Sequence, residues 1–194
     1  MPEQLSLMGL GAPPRKTDRL FFAIFPDAAA AVRIAQLAHR LRGEQGLKGK
    51  PLETARFHVT LHHLGDYAGL RPDIVAAAVE AAATVAMPPF EAAFDRALSF
   101  SVRPGNRPFV LRGGEGVAAL TAFQQTLAAA LGKSRLWDRV KSQYTPHMTL
   151  LYDDRVIAEL PTETVKWTVR EFVLVHSLLG KTVHVPLARW PLRP

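Results

Sequence analysis

Two short stretches of the chain carry the same four residue types in the same order. FHVTLHHLGD, residues 57–66, holds His58, Val59, Thr60 and Leu61, and PHMTLLYDD, residues 146–154, holds His147, Met148, Thr149 and Leu150. In a β-strand successive side chains alternate faces. His58 and Thr60 therefore point one way while Val59 and Leu61 pack inward, and His147 and Thr149 share a polar face opposite Met148 and Leu150. Two such strands lining one cleft would gather two imidazoles and two hydroxyls. That set suits attack on a phosphodiester: a neutral imidazole takes a proton from water, a protonated one gives a proton to a leaving ribose oxygen, and the hydroxyls hold nonbridging oxygens. An unperturbed histidine pKa of about 6.5 serves both roles near neutrality. The chemistry calls for no metal and no cofactor. One His-x-Thr in a strand is an ordinary coincidence; two copies about half a chain apart, each followed by Leu, make a shared site.

Other residues compete for attention. His62 falls on the expected face of His58 and Thr60, so the pair suggests metal ligands, but His63 points to the opposite face. No carboxylate or thiolate completes the set at a familiar spacing. Arg103 and Arg107 flank the turn RPGNRP, where a guanidinium can fork onto phosphate. Tyr144 and Tyr152 bracket the second motif and are candidates for base stacking, although alternation puts Tyr152 on the face opposite His147. GGEG at 113–116 has neither Walker nor Rossmann spacing and reads as a turn into a helix. His39, His176 and His184 have no paired motif and read as structural.

The elements that must position these residues follow from periodicity and punctuation. Residues 1–18 mix Pro, Gly and charge and read as a flexible leader, with residues 19–194 forming one two-lobed domain. RLFFAIF reads as a strand, and DAAAAVRIAQLAHRLRG as a helix with an Asp cap and a closing Gly43. The first motif strand follows, then a helix over RPDIVAAAVEAAATVAMPP. FEAAFDRALSF and RPFVLRG form a hairpin, EGVAALTAFQQTLAAALG a third helix, then the second motif strand. VREFVLVHSLL and KTVHVPLARW close the chain as a hairpin. Helices alternating with strands that are also joined by hairpins predict an α+β fold rather than a doubly wound parallel sheet. The separation of the motifs suggests a pseudo-duplicated, bilobal arrangement, two antiparallel sheets backed by helices around a central groove.

Composition narrows the classes. The 194 residues contain no cysteine, which excludes disulfide scaffolds, thiolate zinc sites and cysteine nucleophiles. Lys and Arg total 24 against 17 Asp and Glu, a net charge of +7 that leans toward polyanionic partners. Most of these charges read as a solvated face. No apolar run reaches the roughly 18 residues of a membrane span, and the N-terminus lacks a signal-peptide pattern, so no membrane partner and cytoplasmic residence are expected.

The paired HVTL and HMTL, the opening RLFFAIFPD, the loop RPGNRPFVLRG and the closing VREFVLVHSLLG resemble the two-histidine phosphoesterase superfamily, in its bacterial 2′-5′ RNA ligase or RNA 2′,3′-cyclic phosphodiesterase branch. The resemblance spans about residues 19–193 and implies a bilobal α+β fold with motif strands lining a groove. It implies opening of a 2′,3′-cyclic phosphate to a 2′-phosphomonoester without a metal, with reversible 2′-5′ RNA ligation in some members. Carried over, His58 is the general acid toward the 3′ oxygen and His147 the general base for water; the residues alone leave that direction open. Thr60 and Thr149 bind phosphate, and the resemblance places the Arg103 and Arg107 loop near the groove. RNA ends or cyclic nucleotides are the expected substrates and a monomer the expected state. His184 departs from the family, where an aromatic residue is frequent. Two alternatives remain: a phosphodiesterase for a small cyclic nucleotide, and an RNA- or nucleotide-binding module that has lost the chemistry.

Overall fold

A computed structural model describes residues 14–100, 105–136, 138 and 144–193. Arg103 and residues 1–13 of the expected leader lie outside them. The element order is β1 (Asp18–Ile24), α1 (Ala28–Glu44), β2 (Val59–Tyr67), α2 (Pro72–Ala82), β3 (Phe90–Ser99), β4 (Arg107–Arg112), α3 (Ala118–Gly132), β5 (His147–Asp153), β6 (Leu160–Val169), β7 (Glu171–Leu178) and β8 (Val183–Pro191). Asp27 caps α1, its carboxylate accepting from the Ala30 amide at 2.7 Å. Pro72 opens α2, where its missing N–H is not needed.

The fold is α+β, and every strand pair is antiparallel. The eight strands run in the order β6-β3-β4-β5-β2-β1-β7-β8. The expected pair of sheets is thus one continuous sheet, and the motif strands β2 and β5 are its central neighbours. They meet at a single register pair, Val59 opposite Met148, so two four-stranded halves diverge from one rung. In each half a motif strand follows a strand and a helix: β1-α1-β2 in one, β4-α3-β5 in the other.

The helices keep the halves from behaving as separate sheets. α1 follows β1 but packs against β5 and β6, and α3 follows β4 but reaches β2 and β3. Arg33 of α1 donates to the Lys166 carbonyl and Arg40 pairs with Glu163, both on β6. One core results. It contains Leu20, Phe22 and Ile24 of β1, Val59 and Leu61 of β2, Met148 and Leu150 of β5, and the buried stripes of all three helices. Alternation turns the remaining side chains to the opposite face, where Phe21, Ala23, Val173 and Val175 form a small apolar cluster beside the groove.

Candidate active site

His58 sits one residue before β2 and His147 opens β5. Their immediate support is the same. The Nδ1 of His58 is 2.8 Å from the Arg56 carbonyl oxygen, and the Nδ1 of His147 is 2.8 Å from the Thr145 carbonyl, in each case two residues earlier. A carbonyl only accepts, so Nδ1 carries the proton and donates it, leaving Nε2 free for chemistry. Both rings line one groove of about 540 Å³ with Thr60, Thr149, Arg56, His63, Tyr152 and His184. Among the described residues neither threonine hydroxyl is engaged in a hydrogen bond.

The rings differ in what surrounds them. His58 packs among Phe21, Phe25 and His184, with ring centroids 5.2, 6.0 and 5.1 Å away. His147 meets Phe100 edge-on at 4.8 Å. Burial pushes the His58 pKa down to about 4, assisted by His184, Arg56 and His147 and opposed by the Arg56 carbonyl. Burial also lowers His147, with Arg112 adding to it. His184 is lowered by burial and by Arg56 and Arg19. Both motif imidazoles are therefore neutral at pH 7 in the free protein. The Nε of Arg56 is buried with no hydrogen-bond partner, and among the described residues no carboxylate pairs with this cation beside His58.

A family model described as the 2′-5′ RNA ligase superfamily matches residues 25–181, a stretch that includes both motifs and the groove strands β2 and β5. The chain belongs to the 2′-5′ RNA ligase superfamily. Solved structures share the fold at low identity. E. coli LigT in its apo form aligns over 93% of this chain and 100% of its own, with a TM-score of 0.71 and 24% identity. LigT complexed with 3′-AMP aligns over the same shares at TM-score 0.65 and 25% identity. TT0787 of Thermus thermophilus covers 90% of this chain and 98% of its own at TM-score 0.65 and 22% identity. No curated protein matched. A structure described as a phosphoesterase aligns over 92% of this chain and 100% of its own, at TM-score 0.65 and 23% identity.

Within this superfamily member, the structure brings His58, Thr60, His147 and Thr149 to one groove. It corrects the expected placement of His62. On β2, Ala23 faces Thr60 but Phe22 faces His62, so Leu61 is an extra residue, a β-bulge. A one-residue insertion reverses every following side chain. His62 consequently turns into the core, 4% exposed, with its Nε2 2.9 Å from Gln124 Nε2, while His63 turns into the groove. His58 and His62 thus lie on opposite faces. Among the described residues no group of three or more His, Asp or Glu is placed to hold a metal.

The second motif repeats the bulge. Val110 faces Thr149 and Phe109 faces Leu151, making Leu150 the extra residue. Tyr152 accordingly lines the groove, contrary to the alternation rule. His63 and Tyr152 stand five residues after their respective histidines, and only the bulge places them there. Arg19 and His63 are both tied to Asp66, Arg19 through Nε at 2.7 Å and His63 through Nε2 at 2.9 Å. The Arg19 hydrogen bonds hold that carboxyl well below its usual range, with help from His63.

Other expected residues lie apart. Arg107 donates to the Asp154 carbonyl at 2.6 Å and is not among the groove's lining residues. Tyr144 is largely buried, which pushes its hydroxyl pKa up. His176 is bound to Asp18, and His39 is exposed on α1. His184, read from sequence as structural, lies in the groove wall. Arg56 was detectable only as the residue two before a histidine, a spacing with no meaning until the Nδ1 contact is seen.

The two motifs are also clamped together. Asp153, buried at the end of β5, accepts from the amides of Lys48 and Gly49 at 2.6 and 2.7 Å. A Cβ on Gly49 would lie 1.9 Å from the Tyr152 carbonyl oxygen, so only glycine fits. The Leu52 amide then donates to the Leu150 carbonyl at 2.8 Å. This loop delivers Arg56 and His58 to a position set by β5.

Proposed function

We propose that the groove opens the 2′,3′-cyclic phosphate of an RNA end to a 2′-phosphomonoester without a metal ion. The observation that carries this reading is the pair of imidazoles, each with Nδ1 held by the carbonyl two residues back, in one groove with two threonines whose hydroxyls make no hydrogen bond among the described residues. His147 Nε2 takes a proton from water as its oxygen bonds to phosphorus. The bond from phosphorus to the 3′ oxygen breaks, and His58 Nε2–H gives that oxygen its proton. Thr60 and Thr149 donate to the nonbridging oxygens and Arg56 offsets their charge. His58 is neutral in the free protein, so the arriving anion must raise its pKa for it to carry the proton. With a ribose hydroxyl in place of water the same steps form a 2′-5′ linkage, and reversibility needs no nucleotide cofactor.

The test is hydrolysis of a short RNA ending in a 2′,3′-cyclic phosphate, in EDTA, with 2′- and 3′-phosphate products resolved. A 2′-phosphate formed despite the chelator is expected. Activity that EDTA abolishes, or a 3′-phosphate product, overturns the mechanism. A second reading, a small cyclic nucleotide as substrate, draws support from the LigT complex with 3′-AMP, a mononucleotide.

A further inference from the structure

A second cavity, of about 780 Å³, adjoins the groove and shares one wall with it, the His184 ring. Its lining also includes Phe25, the ring 6.0 Å from His58, and Ala55, the residue before Arg56. The cavity therefore begins one ring beyond the imidazole assigned to the leaving oxygen. Its volume is in the range of small-ligand sites.

The chemistry of the wall is mixed in a specific way. Phe25 and Pro186 give flat apolar surface, and Phe25 is only half-buried. Arg170, Arg189, Asp27 and Glu171 supply charge. Three of these are already engaged. Glu171 and Arg189 pair across β7 and β8, and the Asp27 carboxylate caps α1. Among the described residues Arg170, exposed at the turn from β6 to β7, has no ion pair. The cavity thus offers a ring face and one uncompensated cation, the combination that binds a base and its phosphate in single-stranded nucleic acid.

We propose that this cavity is a subsite for the nucleotide on the 5′ side of the cyclic phosphate, its base against Phe25 and its 3′-phosphodiester near Arg170. The inference rests on the phosphodiesterase reading above. If His58 protonates the 3′ oxygen, the terminal ribose lies on the His58 side of the phosphorus. The RNA continues from that ribose through its 5′ oxygen, and the adjoining cavity on that side is the one behind Phe25 and His184. The substrate class is then RNA of at least two nucleotides rather than a free cyclic mononucleotide.

The experiment compares kcat/KM for a dinucleotide ending in a 2′,3′-cyclic phosphate with that for the matching cyclic mononucleotide, in the wild type and in Arg170→Glu. Stacking of one base supports a dinucleotide preference of about tenfold or more. Arg170→Glu, which sets a carboxylate against the phosphodiester, should lower that preference severalfold and leave the mononucleotide rate unchanged. Equal constants in the wild type, or equal slowing of both substrates in the variant, overturn the subsite. No turnover of either substrate overturns the phosphodiesterase reading instead. In that case Kd values of the corresponding mono- and dinucleotide 2′-phosphates still decide the subsite, with the same ratio expected and equal affinities overturning it.

Discussion

The His58 and His147 sides of the groove are built from one plan and furnished differently. Each has a histidine locked through Nδ1 to the carbonyl two residues back, a threonine two residues on, and a bulge at the following leucine. Among the described residues, two phenylalanines, His184 and Arg56, whose Nε has no partner, stand around His58, and Phe100 and Arg112 stand around His147. The repeated plan explains why both rings can trade protons. The furnishing explains how a nearly symmetric pair can acquire direction, because only its neighbours distinguish one imidazole from the other.

The sharpest way to break the comparison is to remove each ring in turn. His58→Ala and His147→Ala should each lower kcat/KM on a cyclic-phosphate RNA end by about 10²- to 10⁴-fold. The double variant should be little worse than either, since the two act as a unit. Thermal melts should show both single variants folded. Wild-type activity in either would remove that histidine from the site.

Arg56 tests the asymmetry directly. Arg56→Ala should cost roughly 10- to 100-fold in kcat/KM, the loss expected when a charge-assisted contact of about 1.5–3 kcal/mol disappears. Arg107→Ala, on a side chain committed to the Asp154 carbonyl, should stay near wild type. Equal losses in the two variants would place the phosphate elsewhere.

The threonines should reveal symmetry again. Thr60→Val and Thr149→Val should each lose about tenfold, the worth of one hydrogen bond of about 1.4 kcal/mol. A loss confined to one of them would show that a single hydroxyl holds the phosphate.

The smallest effect concerns pH. The unfolded His58 titrates near 6.5 and the folded one near 4, so between these values the unfolded state binds more protons. Stability should be fully present above about 6.5 and decline as pH falls toward 4, lowering Tm by roughly ten degrees at most. His58→Asn should flatten that slope more than His147→Asn does. Parallel slopes in the two variants would mean that the two rings are equally buried.

Much of this architecture was legible from the chain. The three helices, the paired motifs and the closing hairpin follow from periodicity, caps and the Gly180 turn, because those signals are local. β6 was missed. It is an edge strand with Pro161 and alternating exposed residues, and its character comes from pairing with β3 rather than from its own composition. The single sheet was also hidden, since it depends on one rung between distant residues. His63 and Tyr152 were assigned the wrong face for a different reason. Nothing about Leu61 or Leu150 marks a bulge, which arises where a motif strand must stay in register with its neighbour.

The strand order has a consequence for how the protein is made. The half bearing His147 is drawn from β3 to β6, one unbroken run of residues 90–169. The half bearing His58 needs β7 and β8, so β1, although synthesised early and able to pair with β2, lacks its second neighbour until residues 171–191 have left the ribosome. The later motif can be framed first. A nascent chain stalled near residue 170 would hold its second histidine in place and leave Phe21 and His58 without the β7 and β8 wall, a poor place for apolar strand edges to wait.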